Sequence, residues 1–364
     1  MTIPYLNLKD LQARFSDQDM QSLKVVQESG QFIGGDVVSE FESDFATYCG
    51  VSHAVGTGNG LDALTLILLA EKQLGHLPKN AKILLPAHTY IATFLSVIHA
   101  GMQPVPVDVT DLTISVSDLE PHCNNVDAIV VVDIYGKLVD DAVYAFAKAK
   151  QLSIYCDTAQ SHGARNASGQ RSGSLARASA FSFYPTKNLG ALGDSGAVTT
   201  DDTELSLMVR KLANYGRESR FVNDVVGMNS RLDPLQASFL STRLKQLDAD
   251  NLARLDIAKR YLIEIDNEQV QVPKRSFFDH NAIHVFPVFI DDRDAFIGYL
   301  KELGIATNCH YPIAPHHQEA LAFLKERSFP NTEEFHRNQV SIPCHPLLSS
   351  DEVTYIIQSI NSYE

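Results

Sequence analysis

Short apolar runs alternate with polar or helix-patterned segments from Ala54 to Thr200: KILLP around Ile83, PVPVDV ending at Val109, AIVVVDIYG ending at Gly136, SIYCD ending at Asp157 and ASAFSFY ending at Tyr184. Runs apolar at nearly every position fit strands buried on both faces, as in a parallel sheet covered by helices. Between them, Leu61–Lys72 (LDALTLILLAEK) and Asp141–Lys150 (DAVYAFAKAK) carry good helix formers. The pattern therefore predicts an α/β core over roughly residues 25 to 240. Beyond Arg231 the text changes: Pro234–Ala258 reads as one or two long amphipathic helices, and AIHVFPVFI over Ala282–Ile290, DAFIGYLKELG and DEVTYIIQSINSY suggest a smaller α+β unit. The expected division places residues 1–245, N-terminal segment included, in a large α/β domain and residues 246–364 in a small C-terminal α+β domain.

A chain of 364 residues can bury a large core. Its formal net charge of −14 opposes a nonspecific hold on nucleic-acid phosphates. The five cysteines (Cys49, Cys123, Cys156, Cys309, Cys344) are scattered and without CxxC spacing, which fits a reduced compartment better than a disulfide frame. The start, MTIPYLNLKD, has no basic patch followed by an apolar stretch, and no run approaches the roughly eighteen apolar residues of a membrane span. The expectation is a cytoplasmic protein with no nucleic-acid or membrane partner.

Lys187 lies in the turn after the apolar run Ala178–Tyr184, and Asp157 ends another such run thirty residues earlier. A lysine amine forms an imine with an aldehyde when its surroundings help it shed a proton near neutral pH. A carboxylate at the carboxyl end of a buried strand sits where open parallel sheets bind ligands, and there it can hold a pyridine nitrogen protonated. The pair suggests the Schiff-base lysine and pyridinium partner of pyridoxal phosphate; the same Asp157 also fits a plain helix cap. Gly56–Leu64 (GTGNGLDAL) is a glycine-rich turn opening a helix, either a phosphate cradle or a simple tight turn. It is neither a GxGxxG fingerprint, since Leu61 stands at the third glycine, nor a Walker loop. Tyr90 can stack on a planar ring or merely pack, and Ser182 can meet a phosphate or reflect strand alternation. The Cys309-His310 and Cys344-His345 dipeptides, with His316-His317 nearby, lack metal-ligand spacing, because neighbours on extended chain point to opposite sides. No thiol is marked as activated.

In order, GTGNGLDAL, PAHTYIATF, DTAQSHGA, SFYPTKNLGALGD, NYGR, GMNSRLDPLQA and HYPIAPHHQ resemble the DegT/DnrJ/EryC1/StrS family of sugar aminotransferases over essentially the whole chain. The resemblance implies a pyridoxal-phosphate enzyme of fold type I, with a mostly parallel, seven-stranded-type sheet. GNGLDAL together with YPTKNLGALGD looks like the branch that moves an amino group from L-glutamate to C3 of a nucleotide-linked 3-keto-6-deoxyhexose, thymidine diphosphate being the expected nucleotide. The product would be a 3-amino-3,6-dideoxyhexose destined for polysaccharide, O-antigen or a glycosylated metabolite. Members acting at C4 more often resemble SGTxAL in the first motif and carry His where Tyr184 stands.

Carried over position by position, the resemblance implies that Lys187 and Asp157 are catalytic and that Gln160 lies by the cofactor ring and its 3-hydroxyl. It further implies that Tyr90 stacks on the ring and that Gly58, Asn59 and Ser182 hold the phosphate. Asn229 would reach the cofactor phosphate of the other subunit of a homodimer. Tyr184, Tyr215, Arg217, Tyr311 and His316 would line the substrate site. No metal is expected. The chain departs from the commoner DAAQ at Thr158. Other readings stay open: amination at C4, a dinucleotide-dependent oxidoreductase lacking its fingerprint, and a regulatory protein that binds the cofactor without turnover.

Overall fold

The computed structural model describes residues 2–364. Seven strands form the main sheet: β1 (His53–Thr57), β2 (Lys82–Pro86), β3 (Gln103–Val107), β4 (Ala128–Val132), β5 (Ser153–Asp157), β6 (Ala178–Ser182) and β7 (Gly196–Thr200). Their order is β1-β7-β6-β5-β4-β2-β3. Only β7 runs against its neighbours, β1 and β6; the remaining pairings are parallel. This mostly parallel α/β sheet is the fold expected from the run-and-helix pattern.

Successive residues on a strand face opposite sides, and β4 shows why its five residues are all apolar. Ala128 and Val130 enter a core beneath the helices Gly60–Gln73 and Ile91–His99, with Leu66, Ile67, Phe94 and Val97. Ile129 and Val131 enter the opposite core with Val143 and Ala147 of the helix Asp141–Ala149. A third cluster packs Phe41 and Phe45 edge-to-face against Phe183 and Phe181, flanking the end of β6.

Two further strand pairs lie outside this sheet: the short hairpin β8 (Arg217–Ser219) and β9 (Val222–Asn223), and the antiparallel pair β10 (Phe286–Phe289) and β11 (Gln339–Ile342). Phe286, Val288, Val340 and Ile342 form a separate core with Tyr261, Ile356 and Ile360. The helices Pro234–Leu244 and Leu247–Glu264 meet between the two bodies of structure, and we propose the domain division at residue 245 on that ground. Ile3 goes elsewhere than the expected division put it. Ile3, extended by the following Pro4, is 0% exposed in the C-terminal core. Its N–H donates to the Gly304 carbonyl at 2.8 Å and its carbonyl accepts from the Ala306 N–H at 2.9 Å. Among the described residues no helix is long and apolar enough to cross a membrane.

Because β7 is antiparallel, its first residue lies at the edge where β1 and β6 end: Gly196 pairs with both Thr57 and Ser182. A Cβ at Gly196 would stand 2.5 Å from the Asn59 carbonyl group and 2.7 Å from the Phe181 oxygen. Gly196→Ala is therefore expected to destabilise the fold by about 1–3 kcal/mol, read as a lowered denaturant midpoint. A variant unfolding at the wild-type midpoint would refute this close approach.

Candidate active site

The carboxyl edge of the sheet opens into a cavity of about 400 Å³ lined by Asn59, Tyr90, Asp133, Asp157, Gln160, Ser182, Tyr184, Lys187 and Asp194, and closed from the C-terminal side by His284, His310 and Tyr311. Each wall follows from a strand end. Asn59 follows β1 and begins the helix Gly60–Gln73, its Oδ1 accepting from the Asp62 N–H at 2.8 Å. The Ala63 N–H donates to the Asn59 carbonyl at 3.1 Å. Gly60 and Leu61 of the first turn line the cavity, and the structure shows no partner for their N–H groups among the described residues; helix-start N–H groups of this kind hold phosphate. A Cβ at Gly60 would come 2.6 Å from the Ser182 Cβ, so glycine there lets Ser182 and the helix start share one cradle.

Asp157 closes β5. Its Oδ2 accepts from Thr93 Oγ1 at 2.8 Å and its Oδ1 from the Ala159 N–H at 3.2 Å. Burial raises its pKa, while those two donors and the Lys187 charge pull it down. A cationic ring nitrogen would act in the same direction as Lys187. Lys187 is presented by the turn Tyr184–Lys187, whose Lys187 N–H donates to the Tyr184 carbonyl at 2.8 Å with Pro185 in second position. Burial pulls its amine down to about 8, with Asp157 opposing the shift.

The surroundings add little further positive charge. Burial first, and the nearby Lys187 cation next, hold His162 down to about 3, His310 down to about 4 and His284 well below the usual range. Burial raises Asp133 to about 6, although the Val139 N–H and Ser161 hydroxyl donate to it. The Tyr90 ring lies 4.7 Å from the Tyr311 ring. Gln160 is held at both ends, its Nε2 donating to the Tyr311 hydroxyl at 2.9 Å and its Oε1 accepting from the Tyr135 N–H at 2.6 Å. Tyr135 in turn donates from its hydroxyl to the His310 carbonyl at 2.6 Å, fastening the C-terminal wall to the sheet edge. A planar, phosphorylated aromatic aldehyde matches this donor set: imine-forming amine, carboxylate for a ring nitrogen, aromatic platform and helix-start cradle.

Of the residues expected from the sequence, Lys187, Asp157, Asn59, Tyr90, Gln160, Ser182, Tyr184 and Tyr311 come together. Gly58 stands just outside, its N–H already donated to Ser230 Oγ at 3.0 Å. The structure does not bring the other four into this chain's cavity. Asn229, Tyr215 and Arg217 are exposed, and Arg217 lies in β8 against Asn223 of β9. His316, expected at the substrate site, is 0% exposed, with its Nε2 3.3 Å from Glu333 Oε1. That oxygen also accepts from the Phe329 N–H at 2.8 Å, so the carboxylate serves the start of the helix Pro330–Asn338. His316 and His317 share a 3-10 turn rather than extended chain, which puts their rings 4.1 Å apart.

Sequence reasoning missed Thr93, Asp133, His284 and His310. Thr93 had a signal, since Thr89 and Thr93 are one helical turn apart at a helix start. Thr158 also gains a role: its N–H and hydroxyl both donate to the Ala180 carbonyl, at 2.9 and 2.7 Å, tying the exit of β5 to β6. Cys344 is buried and its thiol is pushed up to about 12.

Comparison with known proteins accords with this geometry. The family described as the DegT/DnrJ/EryC1/StrS aminotransferase family matches residues 14–361. The chain is 41% identical to the dTDP-3-amino-3,6-dideoxy-alpha-D-galactopyranose transaminase of Aneurinibacillus thermoaerophilus, over 99% of each chain. It is 35% identical to the dTDP-3-amino-3,4,6-trideoxy-alpha-D-glucose transaminase of Streptomyces venezuelae, over 99% of this chain and 96% of that one. The crystal structure of S. venezuelae DesV in complex with a ketimine intermediate superposes with a TM-score of 0.93 at 36% identity, covering 99% of this chain and 98% of that one.

In the cofactor-free protein, reductive modification of Lys187 by an aldehyde should rise with pH around 8 rather than around the ordinary lysine value of 10.5. Asp157→Asn should move that titration downward, because the lost carboxylate favoured the charged amine. Peptide mapping of the modified lysine against pH measures both; an unchanged midpoint in Asp157→Asn removes the pairing.

Proposed function

The chain belongs to the DegT/DnrJ/EryC1/StrS aminotransferase family and uses pyridoxal phosphate, and from that premise we propose that it moves the amino group of L-glutamate to C3 of a nucleotide-linked 3-keto-6-deoxyhexose. The observation that carries the choice of C3 is the 41% identity, across 99% of both chains, to a transaminase named for a 3-amino-3,6-dideoxyhexose. Tyr184 in the cavity wall supports it, since members acting at C4 more often carry His there.

When bound, pyridoxal phosphate supplies an electron sink for the carbanion formed at the carbon that loses or gains the proton. The residues of this chain do the rest. Asp157 keeps the ring nitrogen charged. Asn59, Ser182 and the N–H groups of Gly60 and Leu61 hold the phosphate, and Tyr90 flanks the ring. Lys187, neutral from about pH 8 upward, takes the proton from Cα of the donor. In the second half it delivers a proton to C3 of the sugar, a general acid–base role suited to an amine titrating close to the working pH.

The active unit in this reading is a cytoplasmic homodimer. Asn229, Tyr215 and Arg217 are exposed, which supports their serving the neighbouring subunit's site. Mixing chains tests it: an inactive Lys187→Ala chain and an inactive Asn229→Ala chain should together regain part of the activity through hybrid dimers. Lack of any recovery, in a mixture shown to exchange subunits, removes the shared site.

Lys187→Ala should abolish the visible absorption that the loaded protein owes to its lysine–cofactor bond; an unchanged band refutes the assignment of Lys187. Wild-type protein given glutamate should aminate a 3-keto nucleotide sugar and leave the 4-keto isomer unchanged. Amine formed only from the 4-keto sugar transfers the reading to C4. Glutamate that leaves the bound cofactor's spectrum unmoved points to a noncatalytic protein.

A further inference from the structure

We propose that Thr89 and Thr93 form a directed hydroxyl relay that positions Asp157 and holds it ionised, so that Thr93 is a positioning residue for the transamination. The inference rests on the reading of Asp157 as partner of the cofactor's ring nitrogen. Thr93 Oγ1 lies 2.8 Å from Asp157 Oδ2, and Thr89 Oγ1 lies 2.7 Å from Thr93 Oγ1. Both threonines are buried, at 0% and 1% exposure, so solvent does not replace either bond.

Geometry leaves the donor in the threonine pair open, but chemistry decides it. An ionised carboxylate can only accept, and a threonine hydroxyl has one proton to give. Thr93 therefore spends its proton on Asp157, and Thr89 must donate to Thr93. Both O–H dipoles then point their positive ends toward Oδ2. A protonated Asp157 would be a weaker acceptor for the Thr93 hydroxyl, and with its proton on Oδ2 would oppose it, so the two-hydroxyl chain favours the charged form. Thr93 also sits in the first turn of the helix Ile91–His99, whose dipole favours negative charge at that end.

The second tether fixes the remaining freedom. The Ala159 N–H holds Oδ1 from the chain just past β5. With one donor on each oxygen from two different elements, the carboxylate plane is set before any ligand arrives. Each oxygen keeps a lone pair for a ring nitrogen in the cavity. A hydrogen bond to a charged group that strengthens the reactive state is a form of preorganisation, effective because the donors need no rearrangement. Lys187 acts on Asp157 through space, and Asp157 in turn raises the neighbouring Asp133, whereas Thr93 touches Asp157 directly.

The test compares Thr93→Val, Thr93→Ser, Thr89→Val and Asp157→Asn as cofactor-loaded enzymes, and measures cofactor affinity on the apoproteins. Thr93→Val keeps the shape and removes the donor. A bond to a charged group is worth about 1.5–3 kcal/mol, so kcat should fall roughly 10- to 100-fold, with KM for the sugar little changed. The pH at which the visible spectrum titrates should move and cofactor affinity should weaken. Thr93→Ser, which restores the hydroxyl, should recover kcat to within a few-fold, and Thr89→Val should fall between wild type and Thr93→Val. Wild-type kcat and spectral titration in Thr93→Val, alongside a crippled Asp157→Asn, overturn the relay and leave the role of Asp157 standing. A Thr93→Ser variant as impaired as Thr93→Val overturns it too, by exposing a packing role for the methyl group. An Asp157→Asn enzyme as active as wild type overturns the reading of Asp157 and the relay with it.

Discussion

A carboxylate kept charged inside a cavity is the constraint around which the rest of the site is arranged. Burial alone drives Asp157 toward its neutral form, and a neutral acid could not hold a ring nitrogen protonated. Three favourable contributions oppose that drift: a hydroxyl from the helix after β2, an N–H from the chain after β5, and the charge of Lys187. The same burial draws Lys187 down while Asp157 holds it up, so the two groups titrate as a coupled pair rather than separately. In the proposed reading, a cationic ring partnering Asp157 would release the lysine from that duty and leave it free to exchange protons. The nearby histidines fit this division of labour. Held neutral, His284 and His310 shape the walls without competing for the carboxylate, as does His162 packed behind them against Phe181 and Phe183.

The parts of the site legible in the sequence are those that lie at the ends of apolar runs. SIYCD and ASAFSFYPTK each announce a buried strand and then the chemistry that leaves it, because on a parallel sheet the residue after a strand is delivered to the ligand edge by construction. The same logic found Tyr90 and the Gly56–Leu64 turn, within which the family resemblance picked out Asn59. Gln160, Tyr184 and Tyr311 were recovered through motif order. Other residues had no such local mark. His284 and His310 reach the cavity from the C-terminal domain, and their presence depends on Tyr135 fastening that domain to the edge. Thr93 looks, in sequence, like any hydroxyl in a helical first turn; only the partner across the sheet gives it meaning.

The positions carried over by resemblance alone divide differently. Tyr215, Arg217 and Asn229 stay at the surface of a single chain, and local pattern cannot say what a surface residue will meet. His316 is turned inward by the tight Pro315–His317 segment and the Glu333 carboxylate. A motif records that residues recur together, and does not separate those that touch a ligand from those that hold the motif in shape. The N-terminal segment makes a similar point for domains: an apolar Ile3 in extended chain joins whichever edge offers partners, and the edge at Gly304–Ala306 belongs to the far end of the sequence.

The reversal of β7 explains why one lysine can serve all of this. The connection from β6 to β7 runs from Phe183 to Ser195 and includes Lys187. Had β7 been parallel to β6, the chain would have had to cross a face of the sheet and return to the opposite edge, and the intervening residues would form a crossover helix. Being antiparallel, β7 starts where β6 stops. The Phe183 N–H donates to the Ser195 carbonyl at 2.7 Å and the Ala191 N–H to the Phe183 carbonyl at 2.8 Å, so the connection folds back on itself and never leaves the ligand edge. Its free length is thus spent on a loop over the cavity, with Tyr184 and Asp194 near its two ends and Lys187 between. The glycine at the first position of β7 completes the arrangement, since it allows that strand to enter beside Asn59 and the phosphate cradle without displacing either.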